Sequence, residues 1–374
     1  MQASASASVS HGLKPPGSPH HSWPLGRLVT LAVAASLLLI AAIVLGAWPT
    51  DSMPASTQQV PPSTATASTE PVEISDDEVL VGVYVENIQL IVPETNSYLT
   101  DFYVWYRWTN PDLRPQQTVE FKNLGEAWQL VSSSTFEKPR RQPDGSFYFI
   151  TRHQGAFNNA FDLRSYPFGV QNLRIILEDF ESDASSFRFI TDDNSISIDP
   201  DITLPGYRIG QPTISVDEVA YATSFGEIGA APDRRYSRAT VTTPVEHPVI
   251  TNIVKYLAPI LLVMIASSLI FQIPPDLVEG RIGLSITALL TLVAMQWSTN
   301  DGMPLMAYLT LLDTLYLISL AFVLGSLMLG LRASWISRDV GEAQAIRADQ
   351  VSMVLYLCAY AVAAAGVLAL YLIL

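Results

Sequence analysis

The strongest constraint in this chain is a series of four apolar segments towards its C-terminal end: Val254 to Ile273, Ile282 to Ser298, Leu305 to Leu331 and Val351 to Leu374. Apolar runs of about twenty residues match the hydrocarbon thickness of a bilayer when helical. Inside hydrocarbon the backbone has to satisfy its own hydrogen bonds, so helices are the expected form. Residues 252–374 are therefore expected to be a four-crossing membrane bundle, with a short loop at 332–350 that carries Arg332, Arg338 and Arg347. A fifth apolar run, Leu28 to Trp48, follows a Ser, Ala, Pro and Gly-rich stretch over residues 1–26, with Lys14 and Arg27 on its N-terminal side. Basic residues before a first crossing keep the tail in the cytoplasm. The run is longer than the roughly 7–15 residues of a secretory signal core, so residues 27–48 are expected to be an uncleaved membrane anchor, a signal segment being the alternative. Residues 49–78, rich in Pro, Ser, Thr and Ala, lack the apolar content to offset ordering entropy and form a linker.

A membrane bundle does not account for the whole composition. The 374 residues include 25 Pro, 15 Tyr and 7 Trp, and the net charge is −14, which calls for an acidic, aromatic-rich aqueous domain as well. From Val79 to about Thr251 the apolar period becomes two: Val79, Val81, Val83 and Val85 alternate with other residues, then the phase slips near Asn87 before Ile88, Leu90 and Val92. Such a slip marks a β-bulge. Further strand-like runs cover Phe102–Trp108, Phe147–Arg152, Leu173–Leu177, Phe187–Ile190, Ile214–Tyr221 and Tyr236–Val245, separated by turn signals such as Asp144-Gly145 and Leu204-Pro205-Gly206. The expected fold is thus an all-β extracellular sandwich over 79–251 followed by the α-helical bundle, with the extra N-terminal transmembrane or signal segment. A multi-pass protein of a plasma or inner membrane, with its β-domain outside, follows from the cytoplasmic tail. Only 21 residues are basic and the pI is near 4.7, which excludes nucleic acid as a partner. The single cysteine, Cys358, excludes a disulfide within the chain.

The segment from Glu279 to Asp301 is the least apolar of the four spans, and its small and polar residues are ordered. Glu279, Gly283, Thr287, Leu290, Ala294, Trp297 and Asp301 recur at spacings of 4, 4, 3, 4, 3 and 4, one face of a helix. Hydroxyls and carboxylates gain nothing from lipid, so this stripe is expected to face protein or water. One reading is a helix–helix seam that uses Ser and Thr as small packing residues. The other is the wall of a pore, with acid rings at both mouths and Leu290 as a hydrophobic constriction. Arg281 lies two residues from Glu279, about 200° round the helix, so only one of the two can point at a pore axis.

These residues resemble the pentameric ligand-gated ion channels, the Cys-loop receptor superfamily, in its prokaryotic type without the loop disulfide. The run Arg281-Ile-Gly-Leu-Ser-Ile-Thr-Ala-Leu-Leu-Thr-Leu292 looks like the pore helix of that family. Pro259, Pro304, Tyr308 and Asp313 match positions in the neighbouring helices and loop, Phe161-Asp-Leu-Arg-Ser-Tyr-Pro-Phe-Gly-Val-Gln-Asn-Leu173 resembles the signature loop, and Trp108-Thr-Asn-Pro-Asp-Leu113 resembles the end of an early strand. Asn159 and Leu173 stand where the disulfide would be, and Gly169 stands where the family usually has an aspartate.

The resemblance implies a homopentamer in membrane lipid, passing inorganic ions and opened by a small-molecule or ionic agonist between β-domains. It also implies ligand-binding aromatics at Tyr103, Trp105, Phe180, Tyr221, Phe225 and Tyr236, each of which is equally a candidate for plain sandwich packing. Coupling to the pore would run through Asp162, Arg164, Tyr166, Pro167 and Phe168 against the loop at Pro304. The Gly280-Arg281 pair differs from the Pro-Ala-Arg run of anion-selective relatives, which with Glu279 favours cations. An anion-selective channel and a non-conducting membrane-anchored sensor are the alternatives. No cofactor or metal is expected: Asp192, Asp193, Asp199 and Asp201 lack calcium-loop spacing, and the five histidines lack ligand spacing. No nucleophile or phosphate-binding motif points to an enzyme.

Overall fold

A computed structural model of the protein describes residues 73–126, 130–223, 226 and 234–373. The tail at 1–26, the anchor at 27–48 and most of the linker, as well as Phe225, lie outside the described residues.

Residues 78–246 form two sheets. The first contains β1 (Glu78–Val92), β2 (Ser97–Trp108), β4 (Val131–Ser134), β5 (Arg140–Arg141), β6 (Phe147–Asn158), β8 (Arg188–Ile190) and β9 (Ile196–Ile198). Its order is β4-β6-β2-β1-β8, with β5 on β6 and β9 on β1. The second runs β10-β12-β7-β3, with β11 on β12, and is built from β3 (Val119–Phe121), β7 (Val170–Asp179), β10 (Arg208–Ile209), β11 (Thr213–Tyr221) and β12 (Arg234–Glu246). Alternation explains the core between them: Phe102, Val104, Tyr106 and Trp108 of β2 point inwards, as do Leu173, Ile175 and Leu177 of β7 and Ala239 and Val241 of β12. The register of β1 on β2 shifts between Val85 and Asn87 and again between Ile88 and Leu90, where the apolar phase slips.

His153 of β6 shows what this packing does to a titratable group. Its ring lies 4.8 Å from that of Phe121 and 5.7 Å from that of Phe102, with Nδ1 2.9 Å from the Ser132 hydroxyl, and burial pushes its pKa down to about 4. A lowered histidine pKa means that the unfolded chain takes up the proton first. Stability is therefore complete above about pH 6.5, falls between there and pH 4, and levels off below, by up to about 3 kcal/mol in all. His153→Phe should flatten that limb in melting curves recorded from pH 8 to 4. Parallel acid limbs in parent and variant would assign the loss to other groups.

Four helices follow, each long and apolar enough to cross a membrane: α1 (Val249–Gln272), α2 (Val278–Asn300), α3 (Leu311–Asp339) and α4 (Glu342–Ile373). A π turn over Ile253–Leu257 interrupts α1 just before Pro259, whose missing N–H and bulky ring break the regular ladder there. Two boundaries differ from the apolar pattern. Leu305 to Thr310 belong to the link and not to the third helix, because Thr310 caps α3 reciprocally with Asp313, fixing the start at Leu311. Asp313 is thereby explained as a cap, and it also accepts a hydrogen bond from Asn300 Nδ2 at 3.3 Å. The expected loop at 332–350 is almost entirely helical: α3 runs on to Asp339 and α4 begins at Glu342, with Val340 and Gly341 between them. The charged residues there mark the end of the apolar span and not the end of the helix.

Candidate functional site

Seen from the other helices, α2 has a dry face and an outer face. Arg281, Ser285, Ala288 and Leu292 are buried against the bundle, at spacings of 4, 3 and 4. Glu279, Gly283, Thr287, Leu290, Ala294, Trp297 and Asp301 are all exposed, Leu290 at 68% and Trp297 at 79%. The polar stripe is therefore not a seam with this chain's own helices. Thr287 Oγ1 donates to Gly283 O at 2.9 Å and Thr291 Oγ1 donates to Thr287 O at 2.8 Å. With their protons committed to the helix, these hydroxyls offer only lone pairs outwards, so the stripe presents oxygen acceptors between Glu279 and Asp301. Asp301 sits at the C-cap of α2, where a negative charge opposes the helix dipole, so its presence needs a reason other than helix stability.

Arg281 is fully buried on the opposite side. Its Nη2 lies 2.5 Å and its Nη1 3.2 Å from the two carboxylate oxygens of Asp349 on α4, Nη1 also donates to Gly330 O at 2.8 Å, and Nε to Ile273 O at 3.2 Å. A Cβ on Gly330 would meet Ile270 Cδ1 at 3.0 Å, so this close approach of α1 and α3 around the guanidinium uses the missing side chain. Of the two charges set about 200° apart on α2, Glu279 is on the outer face and Arg281 is turned into the bundle, paired with Asp349.

The loop between β6 and β7 meets the top of the bundle through many of the residues singled out for coupling. Leu311 N donates to Arg164 O at 2.8 Å, Leu163 N to Tyr308 Oη at 3.2 Å, and Tyr166 Oη to Tyr256 Oη at 2.8 Å. Asn252 Nδ2 donates to Pro167 O, and Phe168 is buried in the core of the helices. The Arg164 guanidinium lies 5.6 Å from the Tyr308 ring centre, and the exposed Asp162 carboxylate holds the backbone N–H of Arg164 at 3.1 Å. Pro304 lines a cavity of about 480 Å³ together with Asn159, Phe161 and Tyr308 at this junction. Tyr256, Asn252 and Tyr371, whose carbonyl accepts from Ser165 Oγ at 3.2 Å, were not foreseen, because their partners are far away in the sequence.

The aromatics expected to bind ligand fall into two groups. On the second sheet, Tyr221 and Tyr236 make an edge-on pair 5.6 Å apart. Tyr221 Oη donates to Glu178 Oε1 at 2.8 Å, and Arg238 donates to Glu178 Oε2 at 2.8 and 3.0 Å. Lys122 Nζ lies 3.7 Å from the same carboxylate. Burial, followed by the bond to Glu178, raises the Tyr221 pKa, so its phenol stays protonated. Phe180, two residues beyond Glu178, is 59% exposed. This ionic cluster was missed, although Arg238 stands opposite Glu178 in the β12–β7 register. Tyr103 and Trp105 lie on the first sheet instead, Tyr103 with its ring 5.5 Å from the Arg152 guanidinium. Among the described residues no group of three or more His, Cys, Asp or Glu is placed to hold a metal ion. Scanned against the descriptions of known protein families, the chain matches none.

Proposed function

We propose that this chain is a subunit of a homopentameric, cation-selective, ligand-gated ion channel, in which five copies of α2 surround the pore and an agonist between neighbouring β-domains drives opening. The observation that carries the reading is the outer face of α2. A membrane-spanning helix that turns hydroxyl oxygens and two terminal carboxylates away from its own bundle needs water or other copies of itself opposite that face. The fivefold number comes from the resemblance. Two further features support the assembly. Tyr103 and Trp105 lie on a different sheet from Tyr221 and Tyr236, with Phe180 just beyond the end of β7 of that second sheet, so a site using both sets takes them from adjacent copies. The junction of Asp162, Arg164, Tyr166, Pro167 and Phe168 with the start of α3 joins β-domain movement to the helices, and differential affinity of the agonist for the open arrangement supplies the energy.

Cation preference rests on Glu279 and on the burial of Arg281. With its charge neutralised by Asp349, Arg281 adds little field to the pore, whereas five Glu279 carboxylates at one mouth and five Asp301 carboxylates at the other raise the local cation concentration. Purified protein in planar bilayers under a NaCl gradient should give reversal near the sodium potential. Glu279→Ala should move it towards zero; an unchanged value would remove Glu279 as the cause. Reversal near the chloride potential in the parent would overturn the cation assignment, and silence from verified pentamers under a broad agonist set would favour a sensor without a pore.

A further inference from the structure

The cavity of about 480 Å³ between the β-domain and the bundle has chemistry that the coupling contacts leave unused. Asn159, Ala160 and Phe161, which follow β6, form one wall, and Pro304, Met306 and Tyr308 of the link between α2 and α3 form the other. Asn159 is fixed by two hydrogen bonds. Its backbone N–H donates to Asn96 O at 2.7 Å, where the chain turns from β1 into β2, and its Oδ1 accepts from Arg174 N of β7 at 3.2 Å. Phe161 belongs to the sandwich core and Met306 packs against that core, so part of the lining is apolar.

One polar atom in this setting has no partner. Asn159 is 3% exposed, and its Nδ2 is buried with no acceptor among the described residues. A buried donor left open costs the full desolvation of the group, so an acceptor brought to it recovers that loss. Tyr308 Oη offers a second contact: it accepts from Leu163 N at 3.2 Å, and its own proton has no acceptor among the described residues. No acidic or basic side chain is among the described residues that line the cavity. The Arg164 guanidinium over the Tyr308 ring is 66% exposed and 4.0 Å from the Asp162 carboxylate, a solvated pair that supplies little field. A charged occupant would therefore lose hydration without gaining a counter-ion, whereas an uncharged one gives up little.

We propose that this cavity binds a small uncharged aromatic carboxamide, its carbonyl oxygen on Asn159 Nδ2 and the Tyr308 hydroxyl, and its ring against Phe161, Pro304 and Met306. A carboxamide oxygen has two lone pairs, enough for both donors, and its NH₂ is matched by the side-chain amides of Asn96 and Asn158, which line the same cavity. A mostly apolar body with a few convergent polar contacts is what a cavity of this size accepts. The two walls belong to the two parts of the chain that meet at the junction, so an occupant ties the β-domain to the link between α2 and α3. On the channel reading this alters coupling. The binding itself uses groups of a single chain and is read without current, so its failure and the failure of that reading are told apart.

The test titrates benzamide, benzoate and benzamidine, planar probes of nearly one shape, into the full-length protein in nanodiscs, with saturation-transfer NMR as the readout. Benzamide should bind at least about tenfold more tightly than either ion. Asn159→Asp keeps the oxygen that accepts from Arg174 N and replaces the open donor with a charged acceptor. In that variant benzamide should weaken by about tenfold, and benzamidine should become the tightest of the three. Ala160→Trp, at an exposed position of the wall, should fill the space and abolish benzamide binding with melting unchanged. Equal affinity for the three probes, absence of benzamide binding to the parent, or unaltered benzamide affinity in a correctly melting Asn159→Asp or Ala160→Trp protein would each overturn the assignment.

Discussion

Asp349→Ala should lower the stability of the membrane bundle by about 3–5 kcal/mol, the usual cost of leaving one buried ion without its partner. The substitution removes a carboxylate that is 2% exposed and leaves the fully buried Arg281 guanidinium facing only the carbonyls of Ile273 and Gly330. Carbonyls satisfy N–H groups but do not neutralise the charge. Because Arg281, Asp349, Ile273 and Gly330 come from or border all four helices, the loss should appear as cooperative loosening of the bundle and not as fraying of one end. The double variant Arg281→Met with Asp349→Leu should recover most of the deficit, since apolar replacement of a whole buried pair is often neutral or stabilising. Thermal melting of purified protein in nanodiscs reads both results. A single variant that melts with the parent would show that water reaches Arg281, and a double variant no better than the single would show that the pair contributes more than its own burial.

The parts of this arrangement that were legible in the sequence are those set by short-range periodicity. The alternation in β1 and its slip at Asn87 are local, and they match a register shift against β2. The stripe from Glu279 to Asp301 repeats with the helical period, and the complementary positions Arg281, Ser285, Ala288 and Leu292 follow from the same arithmetic. The start of α3 could have been taken from Thr310-x-x-Asp313, a capping pattern that outweighs the apolar run beginning at Leu305. The loop expected at 332–350 is the gap between two apolar spans, and Arg332, Arg338 and Arg347 within it sit on helices that outlast those spans. What stayed hidden are partnerships between distant residues: Arg281 with Asp349, 68 residues on, and Tyr221 with Glu178, 43 apart. Neither has a local signature, because each is created by packing between elements whose relative placement one sequence does not encode in any short window. The pocket aromatics share that problem, since Tyr103 and Trp105 follow the same alternation as any half-buried strand.

If five copies of α2 line a pore as proposed, Leu290→Ser should open it without agonist. Leu290 is the single large aliphatic residue of the outward stripe, 68% exposed and lying between Thr287 and Ala294, so in a ring of α2 helices five copies would meet at one level. Such a constriction blocks ions by excluding water, and five serine hydroxyls remove the reason for water to leave. The effect multiplies because every subunit contributes. If each leucine favours the closed arrangement by only about 0.5 kcal/mol, five together supply about 2.5 kcal/mol, which shifts the resting population of open channels by between tenfold and a hundredfold. The expected record is a standing current in agonist-free solution that pore-blocking cations suppress, with agonist adding proportionately less than in the parent. Ala294→Ser, one helical turn further along the same face, adds a hydroxyl without removing an apolar barrier, and should leave the resting current near the parental level. A silent Leu290→Ser pentamer would place the barrier elsewhere, with Trp297 the next position on the stripe large enough to form it. Equal leak from both serine variants would mean that polarity anywhere on this face opens the pore, and that no single ring of side chains is the gate.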